Sequence, residues 1–131
     1  MVVTSQLRIG NKVKEAVLGI CNVEEINANT ISVSSGKYQP LYPIYFTNID
    51  PIPLSSKILL GCGFKYDANN DNYKFKDYYY VPIEHTFWLY RKHIKGNDME
   101  LKCVNIADIE YLHELQNIIQ LLTGDELKIT I

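Results

Sequence analysis

A chain of 131 residues, 47% hydrophobic and 21% charged, has the size and makeup of one globular domain, which excludes a disordered segment and two ordinary domains. Its 13 basic and 15 acidic residues leave a formal net charge of −2. That balance excludes the broad cationic field of a phosphate-backbone binder and the dense acidity of a nucleic-acid mimic, and leaves room for local basic patches.

Arg8-Ile9-Gly10-Asn11-Lys12-Val13 opens the fold, with Gly10-Asn11 as a turn and Val13 beginning a strand toward Val17. Gly19 breaks that segment, and Ile20, Val23 and Ile26 follow. After the turn Asn27-Ala28-Asn29, the alternation of Ile31 and Val33 with hydroxyl residues predicts a half-buried strand over 30–33. Residues 34–40 read as loop. Leu41 to Phe46 reads as a further strand, and Pro43 favours a sheet edge because it has no N–H to donate. Short strands joined by tight Gly and Asn turns read like an SH3-like small barrel.

Pro51-Ile52-Pro53 marks a boundary, since two prolines interrupt sheet pairing. Pro53 or Ser55 then starts a short helix that buries Leu54, Ile58 and Leu59 and stops at Gly61 and Gly63. Phe64 to Tyr66 and Tyr73 to Val81 are expected as two strands around an Asn/Asp-rich turn. Thr86 to Arg91 and Met99 to Val104 continue an antiparallel meander, around a turn at 95–98. Asp108 is the expected N-cap of a helix over 109–122. Its stripe is Ile109, Leu112, Leu115, Ile119 and Leu122, widened by Ile118 and Leu121, which is broad enough to pack on a sheet. Thr123-Gly124 ends it, and Leu127, Ile129 and Ile131 alternate as a final strand.

Cys21, Cys62 and Cys103 lie about forty residues apart with no CxxC pair, as reduced thiols do. No basic-then-apolar start marks a secretory signal, and no run approaches the roughly eighteen apolar residues of a membrane span. The expected compartment is the cytoplasm, with no membrane association.

Motifs that could carry chemistry are few, and each has a plainer structural reading. Gly61-Cys62-Gly63 is either an exposed nucleophile on a sharp turn or a helix C-cap around a buried thiol, and free cysteine favours the second. Asp67-x-Asn69-x-Asp71 has the opening spacing of a calcium loop, but Asn72 stands at the glycine position and Tyr78 at that of the bidentate Glu. A polar hairpin loop explains it without an ion. Glu110 and His113 form a single Glu-x-x-His pair where carboxylate-bridged metal sites need two. Neither a metal nor a cofactor is called for, and the chain reads as non-catalytic. The densest signal is aromatic: residues 73–93 hold eight rings interleaved with Lys74, Lys76, Arg91, Lys92 and His93. Such a stretch suits an aromatic protein-binding patch, or single-stranded nucleic acid, whose bases stack on rings. Tyr78-Tyr79-Tyr80 cannot all point one way, so at least one ring faces outward. The candidate binding residues are Tyr78, Tyr80, Trp88, Tyr90, Arg91 and Lys92.

Three segments taken in order carry a resemblance. They are Gln6-Leu7-Arg8-Ile9-Gly10-Asn11-Lys12-Val13, then Pro51-Ile52-Pro53-Leu54 leading to Gly63-Phe64. The last is Tyr111-Leu112-His113-Glu114-Leu115-Gln116-Asn117 with Leu122-Thr123-Gly124-Asp125-Glu126-Leu127. Together they resemble an uncharacterised family of short proteins from Bacteroidetes-type gut bacteria and their phages and mobile elements. The resemblance implies no activity and assigns no catalytic residue. It implies a context, that of an accessory protein of a phage or mobile element in a bacterial cytoplasm.

The expected fold is α+β, with an N-terminal SH3-like strand unit, a short helix, an antiparallel meander and a C-terminal helix packed on the sheet. Residues 1–131 are expected to form a single domain, with possible subdomains at 1–50 and 51–131. The expected function is non-catalytic interaction with a protein partner. The alternatives are a nucleic-acid-binding module using the small barrel or the 73–93 stretch, and an enzyme built on Cys62, His85 or His113. The polar side of the last helix, His113, Glu114, Gln116, Asn117 and Gln120, is expected to be solvated or to serve as a recognition face.

Overall fold

The computed structural model describes residues 7–35, 42–45, 48–95 and 98–130, without the side chains of 42, 91–95 and 98–102. Among the described residues, two helices and ten strands, all paired antiparallel, make the class α+β. They divide between two compact units: the described residues of Met1–Leu54 with Tyr111–Leu127, and those of Ser55–Glu110 with Lys128–Ile131.

The first unit holds β1 (Lys12–Glu15), β2 (Gly19–Ile26), β3 (Thr30–Ser34), β4 (Tyr42–Tyr45) and β5 (Ile49–Asp50), in the order β4-β3-β2-β1-β5. Period-two alternation places one apolar set on a single face. Val13 lies opposite Cys21, Val23 opposite Val33 and Ile31 opposite Ile44. Val13, Cys21, Val23, Ile31, Val33 and Ile49 are buried in one cluster with Leu7. Pro43 sits on the edge strand β4, as its missing N–H requires. The segment after Gly19 is a full strand, and the two-residue β5, which pairs with β1, has no counterpart in the sequence reading. Residues 36–41, most of the expected loop, lie outside the described residues.

Helix α2 (Leu112–Thr123) also belongs to this unit. It starts three residues later than its apolar stripe suggests, because β10 of the second unit runs through Asp108. Tyr111 is the N-cap in place of Asp108, and its N–H donates to the Glu114 carboxylate. Gly124 ends the helix at φ +76, a left-handed conformation that glycine adopts without strain.

Two residues of the polar side expected in solvent are turned inward, His113 at 1% exposed and Gln116 at 2%, while Glu114, Asn117 and Gln120 are half-buried. The Gln116 amide accepts from Lys12 N–H at 2.8 Å and donates to Gly10 O at 3.1 Å. Asn117 Oδ1 accepts from Asn11 Nδ2 at 2.8 Å and from Arg8 Nε at 3.1 Å, and Arg8 also pairs with Glu126. Leu112, Leu115 and Ile119 are buried as expected, whereas Leu121 is 76% exposed. The expected final strand is absent from residues 126–130, where Leu127 is buried without sheet pairing.

The second unit holds α1 (Ser56–Gly61), β6 (Lys65–Asp67), β7 (Asn72–Phe75), β8 (Tyr78–Val81), β9 (Thr86–Lys95) and β10 (Asp98–Asp108). Ser55 caps α1 by accepting from Ile58 N–H, and Ile58 and Leu59 are its buried residues. The sheet is a meander in the order β10-β9-β8-β7-β6. The run 73–81 is two strands in place of one, because Lys76 adopts φ +52 and folds the chain into a tight hairpin at Lys76-Asp77. That hairpin sets the register: Tyr66, Tyr73, Tyr80 and Phe87 form one row across four strands. Tyr73, Tyr80 and Phe87 are buried with Phe64 and Ile109 in the core of this unit.

Candidate functional site

Alternation along β7, β8 and β9 sends every second side chain to the sheet face opposite that core. The neighbouring register row reads Lys65, Lys74, Tyr79, Trp88 and Asn105 across the five strands, and Tyr90 lies opposite Cys103 one step further along β9 and β10. Tyr79 is the centre of this face. Its ring lies 6.0 Å from that of Trp88 at 7° and 4.4 Å from that of Tyr90 at 35°. All three rings are half-buried, while Lys65, Cys103 and Asn105 are exposed.

Several polar atoms of the face are already engaged. Trp88 Nε1–H donates to Thr86 Oγ1 at 2.8 Å. Burial, then a hydrogen bond with the Cys103 side chain, pushes the Tyr79 hydroxyl well above the usual tyrosine range. Lys74 Nζ lies 5.5 Å above the Tyr90 ring and 2.9 Å from Asp67 Oδ2. The Lys74 hydrogen bond, followed by that of Asn70, lowers the Asp67 carboxyl to about 2. What the surface offers is ring area, with the Trp88 and Tyr79 polar atoms engaged, Lys74 paired with Asp67 and Lys65 exposed in the same row.

The six residues singled out in the sequence do not share this surface. Trp88 and Tyr90 are on it. Tyr80 is 1% exposed in the core, where its hydroxyl donates to Ile109 O at 3.1 Å. Tyr78 shares Tyr80's face and stacks on Phe87 at 5.4 Å. Arg91 and Lys92 lie on β9 opposite Lys102 and Leu101, and their side chains are outside the described residues. Tyr79 was the residue missed. The Tyr-Tyr-Tyr run shows that one ring differs from its neighbours, but only the Lys76-Asp77 hairpin fixes which one.

The other chemical candidates are absorbed by the fold. Cys62 is 2% exposed at the C-cap of α1, and burial pushes its thiol up to about 11, so it is no nucleophile at neutral pH. Around Asp67 the acceptors are used within the hairpin loop, by Lys74, Asn70 and the Asn69 N–H, and Asp71 accepts from the Tyr66 hydroxyl. Among the described residues no group of three His, Cys, Asp or Glu is placed to hold a metal. His113 is packed away, and Glu110 lies 3.9 Å from His85 Nε2, outside the helix that was expected to carry it. His85 Nδ1 is 3.2 Å from the Tyr80 hydroxyl. Among the described residues no helix is long and apolar enough to cross a membrane.

Comparison with protein-family models, with curated proteins and with solved structures found no match for this chain.

Proposed function

We propose that the chain is a non-catalytic interaction protein that docks a protein partner on the Tyr79–Trp88–Tyr90 face. The observation that carries this is the set of three contiguous half-buried rings on the sheet face opposite the core, with the polar atoms of Trp88 and Tyr79 engaged within the sheet. Aromatic rings of this kind are enriched at protein interfaces, where they bring large contact area at low entropic cost.

The strand order β4-β3-β2-β1-β5 supports reading the first sheet as an SH3-like strand unit, since the last short strand returns to the first. The resemblance of the end segments supports a phage or mobile-element accessory protein working in a bacterial cytoplasm. The test is retention of a host protein by the wild-type chain after nuclease treatment, compared with Trp88→Ala and Tyr79→Ala chains of unchanged fold. A protein kept by the first and lost by the others sustains the proposal. Equal retention by all three removes the face from it.

A further inference from the structure

Among the described residues the two sheets have four edges, and three of them are blunt. Strand β4 has four residues with Pro43 among them, β5 has two, and β6 has three. Short strands and proline are common means of keeping an edge from pairing with another chain. Strand β10 is the exception: eleven residues, Asp98–Asp108, with no proline. Its register with β9 is continuous from Asp98 to Asn105 and shifts only between Asn105 and Ala107. Among the described residues no strand pairs with its other side. Cys103, Val104 and Asn105 are all exposed, although alternation sends them to both faces of the sheet, so neither face is covered there.

Which backbone groups stand open follows from one hydrogen bond. Tyr90 N–H donates to Asp77 O at 2.7 Å, on the β8 side of β9. A residue of an antiparallel strand points its N–H and C=O the same way, so Tyr90 spends neither on β10. Cys103 lies opposite Tyr90, and its own N–H and C=O therefore point away from β9. Alternation along the continuous register gives the same direction to Met99, Leu101 and Asn105. These four backbone positions, at two-residue spacing, are one half of an antiparallel ladder.

We infer that the open side of β10 pairs antiparallel with β10 of a second copy of this chain, about a two-fold axis normal to the sheet. The spacing is self-complementary under that axis, because a register that sets one outward position opposite another does so for the rest. The second copy also brings a strand of equal length that is already ordered, so pairing costs little conformational entropy. The axis keeps the Tyr79–Trp88–Tyr90 faces of both copies on one side of a continuous sheet, but the inference does not rest on docking at that face.

Cys103 supplies the test, because it is exposed while Cys21 and Cys62 are buried. Registers centred on Leu101, Lys102 or Cys103 bring the two Cys103 Cα atoms within about 15 Å of each other on one face. Light scattering across a concentration series should reach a mass of twice 15.1 kDa, and a flexible bismaleimide should join two chains through Cys103. Cys103→Ser loses only the cross-link. Cys103→Pro loses the dimer with its circular dichroism unchanged, since that N–H makes no bond to β9. Amide hydrogen exchange of the wild-type chain gives the answer without a variant: protection at Met99, Leu101, Cys103 and Asn105 must rise with concentration. A monomer at every concentration, a dimer that survives Cys103→Pro, or outward amides left unprotected in the dimer would each overturn the inference. Protection that arises only when a host-lysate protein is added would overturn it too, by assigning the edge to a foreign strand.

Discussion

In the first unit Asn11 is fully buried and Gln116 is 2% exposed, yet both have their hydrogen bonds met by groups on the opposite element. In the second unit Tyr79, Trp88 and Tyr90 keep part of their rings in solvent, although three other rings of the same sheet, Tyr73, Tyr80 and Phe87, are packed inside. The contrast separates two uses of costly side chains. Buried amides are tolerable only when satisfied, and here they fix α2 against residues 8–12. Half-exposed rings add less to folding than buried ones, so their arrangement is explained better by contact than by stability. On the proposed reading, the first region satisfies its polar groups internally and the second keeps its rings available to a partner.

The largest effects should come from the two apolar cores, where the units behave alike. Phe87→Ala and Leu115→Ala each remove a fully buried side chain, and each should cost about 3–5 kcal/mol in denaturant unfolding. Next come the changes that separate the regions. Asn11→Ala strands the Arg8 N–H and half of the Asn117 amide network, and should cost about 1–3 kcal/mol while leaving partner retention intact. Trp88→Ala should do the reverse, abolishing retention at a cost below about 1 kcal/mol in the same unfolding experiment. If Asn11→Ala abolished retention without loss of stability, the division of roles would be reversed.

A pH titration sharpens the comparison further. His113 is buried with neither ring nitrogen hydrogen-bonded, and burial holds its pKa below the ordinary value. The unfolded chain therefore takes up this proton first, so its contribution is complete above the unfolded pKa near 6.5 and is lost as pH falls toward the folded value. The denaturation midpoint should drop between about pH 7.5 and 5.5, and His113→Leu should flatten that drop. The smallest effect belongs to the hairpin at Lys76, whose φ of +52 is strained for any residue with a Cβ. Lys76→Gly should raise stability by about 0.5–1 kcal/mol in thermal melts, with no change in retention.

The sequence made the class and much of the strand pattern readable, because Val13, Ile31 and Val33 alternate. The α1 cap at Ser55 and the Gly124 stop were equally local, each set by one residue's geometry. What escaped was long-range. Gln116 and Asn117 read as a solvated helix face, since nothing in a polar residue announces that a partner 106 residues away will satisfy it. The division of the Tyr78–Tyr80 run was hidden for a related reason. Its register depends on a positive φ at Lys76, a residue type that rarely adopts one. The segments around Arg8–Lys12 and Gln116–Glu126 meet in a polar cluster of the first unit, which gives them a structural role.

The most direct measurement is made on the aromatic face itself. Trp88 is the chain's sole tryptophan, so its emission reports on that face without labelling. A candidate partner retained after nuclease treatment would be titrated into the wild-type chain, with Asn11→Ala as a control that leaves the face intact. Docking on this face should give a saturable shift in Trp88 emission that tracks complex formation in both chains. Complex formation with Trp88 emission unchanged would place the contact elsewhere and contradict it.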